Sequence, residues 1–191
     1  MIHPRVVVLD HGMGNLRSVA KALEAAGANV TVSERLDGSS SVDALCVPGQ
    51  GIFGRCVRNI EGAGLEDRLR DWIAKERPYL GICLGMQILF EGSEEDGGAR
   101  GLGIFKGSAL RLPAGVPVPH IGWNQVEDEY FYFDHSYAVV PADESMVTGW
   151  CSHGLRFAAR IDSGSVTGVQ FHPEKSSRGG LKVLTRWLAN L

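Results

Sequence analysis

The stretch Tyr79 to Phe90, YLGICLGMQILF, constrains the fold of this chain more than any other. Its first five residues, Tyr79–Cys83, have the continuous apolar character of a strand covered on both faces. The rest, Leu84–Phe90, is expected to turn at once into an apolar helix. Cys83 stands at the turn, inside Gly81-Ile82-Cys83-Leu84-Gly85. A nucleophile on so sharp a turn adopts strained dihedrals, and its neighbours two before and two after must be small. Such a turn lifts the sulfur clear of the backbone and sets it at a helix N-terminus, where thiolate is favoured. The backbone N–H of Leu84 then faces a developing oxyanion. A glycine-rich turn around a buried structural cysteine satisfies the same pattern, so the motif alone leaves both readings open.

The chain before this stretch alternates strand and helix. Arg5–Asp10 is a continuous apolar run and reads as a central strand. Leu16, Val19, Ala20 and Leu23 have helical spacing up to Gly27. Asn29–Ser33 is a second strand, Leu36–Ser41 a polar loop, and Asp43–Val47 a third strand ending in Pro48-Gly49-Gln50-Gly51. A glycine-containing linker leads to Leu65, Leu69, Trp72 and Ile73, an amphipathic helix closed before Pro78. This order predicts an α/β fold: an open, mostly parallel central sheet flanked by helices, of flavodoxin-like type.

After Ser93 the pattern changes. Glu94–Gly103 is acidic and glycine-rich, an expected exposed loop. Short strands are expected at Ser108–Leu112, Gln125–Glu127, Tyr130–Asp134, Tyr137–Val140, Val147–Cys151, Phe157–Ile161 and Val166–Gln170. These predict antiparallel strands added in the second half, some continuing the main sheet and some forming a side layer. Leu181, Leu184, Trp187, Leu188 and Leu191 form a closing helix with Gly179-Gly180 near its start. No repeat or linker divides the chain, so residues 1–191 are expected to form one domain.

Composition excludes several classes. A net charge of −3 gives no nucleic-acid footprint. The four cysteines, Cys46, Cys56, Cys83 and Cys151, are far apart and suggest neither a disulfide framework nor a zinc site. His120, His135 and His153 lack ligand-like spacing, so no metal is expected. The N-terminus runs directly into a strand, and no apolar run approaches the length of a membrane span. A reducing cytoplasm is the expected compartment, and it suits a free thiol.

A second group of reactive side chains follows the last predicted strand, in Val169-Gln170-Phe171-His172-Pro173-Glu174. Sites in open α/β sheets form beyond the carboxyl ends of strands, and Cys83 also lies just past its own strand. If they converge, His172 takes the thiol proton and returns it to a leaving amine. Glu174 then holds the imidazole tautomer and stabilises imidazolium. Pro48-Gly49-Gln50-Gly51 also ends a strand. Its peptides, Gln50 among them, either approach a substrate and turn an N–H toward an oxyanion or form a simple turn.

Taken together, GICLGMQ, FHPE and the PGxG loop resemble the class I, triad-type glutamine amidotransferases. Pro119-His120-Ile121-Gly122-Trp123-Asn124 and His135-Ser136-Tyr137 narrow the resemblance to the branch found in imidazole glycerol phosphate synthase, from histidine biosynthesis. It runs from about Val6 to the C-terminal helix. The resemblance implies that Cys83 attacks the side-chain amide of glutamine, forms a thioester and releases ammonia, with His172 as base for hydrolysis. It implies that Gly51, Gln87, Ser136 and Tyr137 bind glutamine. It implies no cofactor, and a heterodimer with a (β/α)8-barrel cyclase subunit that consumes the ammonia. Trp123 by residue type is either core or an interface anchor; the resemblance places it, with Asn124, toward the partner, and His11, after the first strand, reads as a turn residue near the partner face. Gln50 departs from the family, which more often has a small aliphatic residue there. Two alternatives stand beside this reading: a glutaminase serving another acceptor, such as pyridoxal phosphate synthase, and a non-enzymatic cysteine redox or interaction module.

Overall fold

In the computed structural model, which describes residues 3–36 and 42–191, consecutive side chains of the first strand enter different cores. This strand is β1, Arg5–Leu9. Val6 and Val8 pack with Val19, Leu23, Leu184 and Trp187, whereas Val7 and Leu9 pack with Phe53, Ile60, Leu69 and Trp72. Two covered faces explain why the run has no polar alternation.

Along the first half, β1 is followed by α1 (Leu16–Ala25), β2 (Asn29–Ser33), β3 (Ala44–Gly49), α2 (Phe53–Gly62), α3 (Glu66–Ala74), β4 (Tyr79–Cys83) and α4 (Leu84–Gln87). The side chain of Asn15 caps α1 by accepting from Ser18 N–H. The second half adds β5 (Phe90–Ser93), β6 (Ala99–Arg100), β7 (Phe105–Arg111), β8 (His120–Val126), β9 (Glu129–His135), β10 (Tyr137–Pro141), β11 (Val147–Ser152), β12 (Arg156–Ser163), β13 (Val166–Val169) and α5 (Ser177–Ala189).

Among the described residues the main sheet runs β11-β12-β13-β4-β3-β1-β2. From β13 to β2 every neighbouring pair is parallel, and the β11 and β12 pairings are antiparallel. A side sheet runs β10-β7-β5-β6, and β8 with β9 makes a separate antiparallel ribbon. The expected α/β architecture, with antiparallel strands from the second half, is the one observed. Among the described residues no helix is long and apolar enough to cross a membrane.

Several local expectations are corrected. The elbow helix stops at Gln87 rather than Phe90. The carbonyls of Ile88, Leu89 and Phe90 instead accept from the N–H groups of Leu102, Ile104 and Gly103, and Phe90 opens β5. Tertiary partners outcompete the next helical turn there. The linker before Leu65 contains α2, whose Phe53, Cys56 and Ile60 are buried on one face. Gly54 and Gly62 obscured that spacing. Glu94–Gly103 is not simply an exposed loop: it holds a 3-10 turn at Glu95–Gly97, the short β6, and the buried Leu102. The Glu95 carboxylate accepts from Phe53 N–H at 2.7 Å and so caps α2. Strand β8 begins at His120, within the PHIGWN stretch, where the expected strand began only at Gln125. The expected loop at Leu36–Ser41 lies, beyond Leu36, outside the described residues.

The register sets the functional rim. Gly49 pairs with Cys83 across β3 and β4, and Val169 pairs with Ile82 across β13 and β4. The PGQG loop, the elbow and the QFHPE segment therefore leave the sheet at one level. The elbow glycines are sterically required. A Cβ on Gly85 would overlap the Val47 carbonyl, and one on Gly81 would overlap the Gly85 carbonyl. Gly62, at the end of α2, has open space. Gly85→Ala is expected to cost about 2 kcal/mol or more through forced backbone displacement, whereas Gly62→Ala is expected to gain about 0.5 kcal/mol. Urea titration of both variants measures the difference.

Candidate active site

Cys83 closes β4 with φ 53° and ψ −108°, a conformation that side chains other than glycine rarely adopt. Such strain costs about 1–3 kcal/mol and persists only where the surroundings impose it. Here the buried Tyr79 hydroxyl donates to the Gly85 carbonyl at 2.7 Å and fastens the turn to its strand. The helix that follows has only four residues. Its dipole is correspondingly small, so the expected helix-terminus contribution to a thiolate is a minor one, and side chains around the sulfur carry more of that task.

His172 supplies one of them. Its ring is 3% exposed. Nδ1 lies 2.9 Å from Glu174 Oε1, and Nε2 is buried with no hydrogen-bond partner. Burial disfavours the imidazolium, but the adjoining Cys83 sulfur and the Glu174 carboxylate outweigh it and lift the pKa to about 10. The turn that holds this ring is clamped to β9. His172 N–H donates to the Tyr132 carbonyl, Ser176 Oγ donates to the His172 carbonyl at 2.6 Å, and Tyr132 N–H donates to Ser176 Oγ at 2.9 Å. The sulfur, imidazole and carboxylate named from sequence are thus brought together at one rim.

In front of the sulfur lies a pocket. Its walls include Cys83 and Leu84 from the elbow, Gln50 and Gly51 from the loop after β3, Gln87 from α4, and Ser136 and Tyr137 from the turn between β9 and β10. All the expected binding positions therefore converge. Glu95, Pro119, Asp134 and His135 also line it and were not picked out from sequence as site residues. Gly51, at φ 121°, needs glycine's conformational freedom. Gln50 turns its amide across the pocket mouth and donates to Asp134 Oδ2 at 2.8 Å. Gln87 is 2% exposed, and its amide nitrogen donates to the Tyr137 carbonyl at 2.9 Å and to Gln170 Oε1 at 3.0 Å. Gln170, expected from sequence only as the end of a strand, donates in turn to Cys83 Sγ at 3.5 Å. Its place could have been found by extending the β13–β4 register one residue past Val169 and Ile82.

The three residues assigned toward a partner differ in placement. Trp123 is 52% exposed on the outer face of the ribbon, beside Ile121 and Tyr130, which excludes the core reading. Asn124 faces inward, where its amide nitrogen contacts His120 Nε2 and the Ser152 carbonyl. His11 is buried rather than presented at the surface: Nε2 donates to the Pro48 carbonyl at 2.6 Å, and Nδ1 faces Cys56 Sγ. The polar turn signal after β1 concealed a side chain drawn inward to brace the PGQG loop.

All four cysteines are free and buried. Burial pushes the Cys46 thiol far up, that of Cys56 up to about 12 and that of Cys151 up to about 11. Among the described residues, no group of three or more His, Cys, Asp or Glu side chains is arranged to hold a metal.

The family described as "Glutamine amidotransferase class-I" matches residues 7–190. Imidazole glycerol phosphate synthase subunit HisH of Aquifex aeolicus (strain VF5) is 49% identical over 194 residues, covering 94% of each chain. Its namesake from Bacillus subtilis (strain 168) is 42% identical over 198 residues, covering 94% of this chain and 93% of that one. Among solved structures, one described as a glutamine amidotransferase aligns with a TM-score of 0.76 at 21% identity, covering 97% of this chain and 99% of the other. PurLQS from Thermotoga maritima aligns with a TM-score of 0.70 at 19% identity, covering 99% of both. At those identities the two structures speak for the fold.

The raised His172 pKa has a defined sign. Between the ordinary value of 6.5 and about 10, the folded protein keeps a proton that the unfolded chain releases. The stability from this residue is complete below pH 6.5 and is lost as pH rises through about 10. The gap in urea midpoint between the wild-type protein and His172→Asn is therefore expected to narrow across that window. A gap that stays constant would contradict the assignment.

Proposed function

This chain belongs to the class-I glutamine amidotransferase family, and on that premise we propose that it is the glutaminase subunit of an imidazole glycerol phosphate synthase. The observation that carries the mechanism is the buried His172. Glu174 occupies one ring nitrogen, and the other is left unpartnered beside a sulfur held on a strained turn.

In the proposed reaction Cys83 Sγ, whose proton has passed to His172, attacks the side-chain amide carbon of glutamine as thiolate. The carbonyl π electrons move to oxygen. The backbone N–H of Leu84 and a peptide of the Gly49-Gln50-Gly51 loop meet the resulting oxyanion. Collapse of this intermediate expels ammonia, which takes the proton from His172, and leaves a γ-glutamyl thioester. Water then attacks, with His172 as base, and glutamate departs. Glu174 holds the imidazole tautomer throughout. Gly51, Ser136, Tyr137 and Gln87 grip the amino-acid end of the substrate. No step calls for a metal or organic cofactor.

The proposed partner is a (β/α)8-barrel cyclase, which takes the ammonia and makes imidazole glycerol phosphate and aminoimidazole carboxamide ribotide. The exposed face of Ile121, Trp123 and Tyr130 supports this, because large apolar side chains grouped at a rim are characteristic of interface anchors. The whole chain acts as one glutaminase domain, and four reduced cysteines suit a cytoplasmic setting. The Gln50–Asp134 hydrogen bond restrains the loop that must supply an oxyanion donor, so the resting subunit is read as poorly active until its partner is bound. A redox-sensor reading gives the His172–Glu174 pair no task.

Cys83→Ala is expected to abolish glutamine-dependent turnover of the complex and to leave ammonia-dependent turnover intact, as assayed by cyclase product formation. Trp123→Ala is expected to weaken binding of the cyclase barrel by about 2 kcal/mol with little change in melting temperature. Titration calorimetry and thermal unfolding separate the two effects.

A further inference from the structure

The hydrogen bonds behind the pocket have a single allowed direction, and they end on the nucleophile. The Tyr137 carbonyl can only accept, so both His135 Nδ1, at 3.0 Å, and Gln87 Nε2, at 2.9 Å, donate to it. Gln87 Nε2 also faces Gln170 Oε1 at 3.0 Å, which uses both of its hydrogens. With its oxygen engaged, Gln170 must turn its NH2 toward Cys83 Sγ, 3.5 Å away.

The other branch is fixed in the same way. With a proton on Nδ1, the neutral His135 ring accepts at Nε2 from His120 Nδ1, at 3.0 Å. His120 Nε2 accepts from the Asn124 amide, whose own oxygen is held by Gln125 N–H at 2.8 Å. Gln87 and Gln170 are 2% and 0% exposed, so water cannot substitute for either bond.

We propose that Gln170 is a further catalytic residue of this site: an amide donor that stabilises the Cys83 thiolate, with Gln87, Tyr137 and His135 as the positioning residues that fix its orientation. The assignment rests on the glutaminase reading for its purpose but not for its geometry. A donor aimed at sulfur favours the charged form. It provides what a four-residue helix cannot. The titratable groups around the sulfur are His172 and Glu174 past β13 and Cys56 on α2; Gln170 acts beside them without titrating.

The test is the pH dependence of Cys83 alkylation by iodoacetamide in the isolated chain, with Cys83→Ala as the blank for the other thiols. It requires neither glutamine nor a partner. A negative result therefore leaves the glutaminase reading standing, and loss of the glutaminase reading leaves this result interpretable. Gln170→Met is expected to raise the midpoint by about one pH unit, and below the midpoint to slow alkylation about tenfold. Gln170→Glu is expected to raise it further. A merely structural role would lower the melting temperature and leave the midpoint in place, and a folded Gln170→Met with an unchanged midpoint overturns the proposal. If Gln170→Met does not fold, Gln170→Asn takes its place, because it keeps the amide but, one methylene shorter, withdraws the donor from the sulfur. The same upward shift is expected, and an unchanged midpoint again overturns the proposal.

Discussion

Parallel pairing of β4 with β3 on one side and β13 on the other is the constraint on which the site depends. Gly49 pairs with Cys83 and Val169 with Ile82. Because that register is fixed by apolar side chains on both faces, three loops distant in sequence must emerge side by side. A slip of one residue would reverse every side chain of β4 and turn the sulfur away from the imidazole. The strain at Cys83 is tolerable for the same reason. The turn is wedged between Val47 and Gly49 on β3 and is fastened by Tyr79 from within its own strand.

Around this rim, polar groups are held by elements of different origin. The His172 turn is pinned by the β8–β9 ribbon through Tyr132 and Ser176. The loop after β3 is braced from beneath by His11 and tied across the pocket by Asp134. The side sheet contributes Tyr137 at the start of β10. The antiparallel second half thus does more than enlarge the domain: it supplies the far wall of a pocket whose floor comes from the parallel sheet.

Much of this was legible in the chain. Continuous apolar runs at Arg5–Asp10 and Tyr79–Cys83 identify strands buried on both faces, and GICLG and HPE carry chemistry in their residue types. What stayed hidden depended on distant partners. The elbow helix ends early because residues 102–104 take its carbonyls. α2 was masked by two glycines, though its buried face has ordinary spacing. His11 looked like a surface turn residue, but the carbonyl that draws it inward is 37 positions away. Gln170 was in view beside FHPE, yet its contact with sulfur follows only from strand register.

Three buried histidines, His120, His135 and His172, act in two opposed senses, and this shapes the protein's tolerance of pH. Burial pushes His120 down to about 4 and His135 down to about 3, so both stay neutral in the fold while the unfolded chain protonates near 6.5. Stability from that pair is complete above 6.5 and drains away as the solution is acidified toward 3. His172 behaves in the opposite sense on the alkaline side. The imidazoles that organise the pocket therefore also confine the molecule to a plateau of best folding near neutrality, with a separate failure waiting at each shoulder.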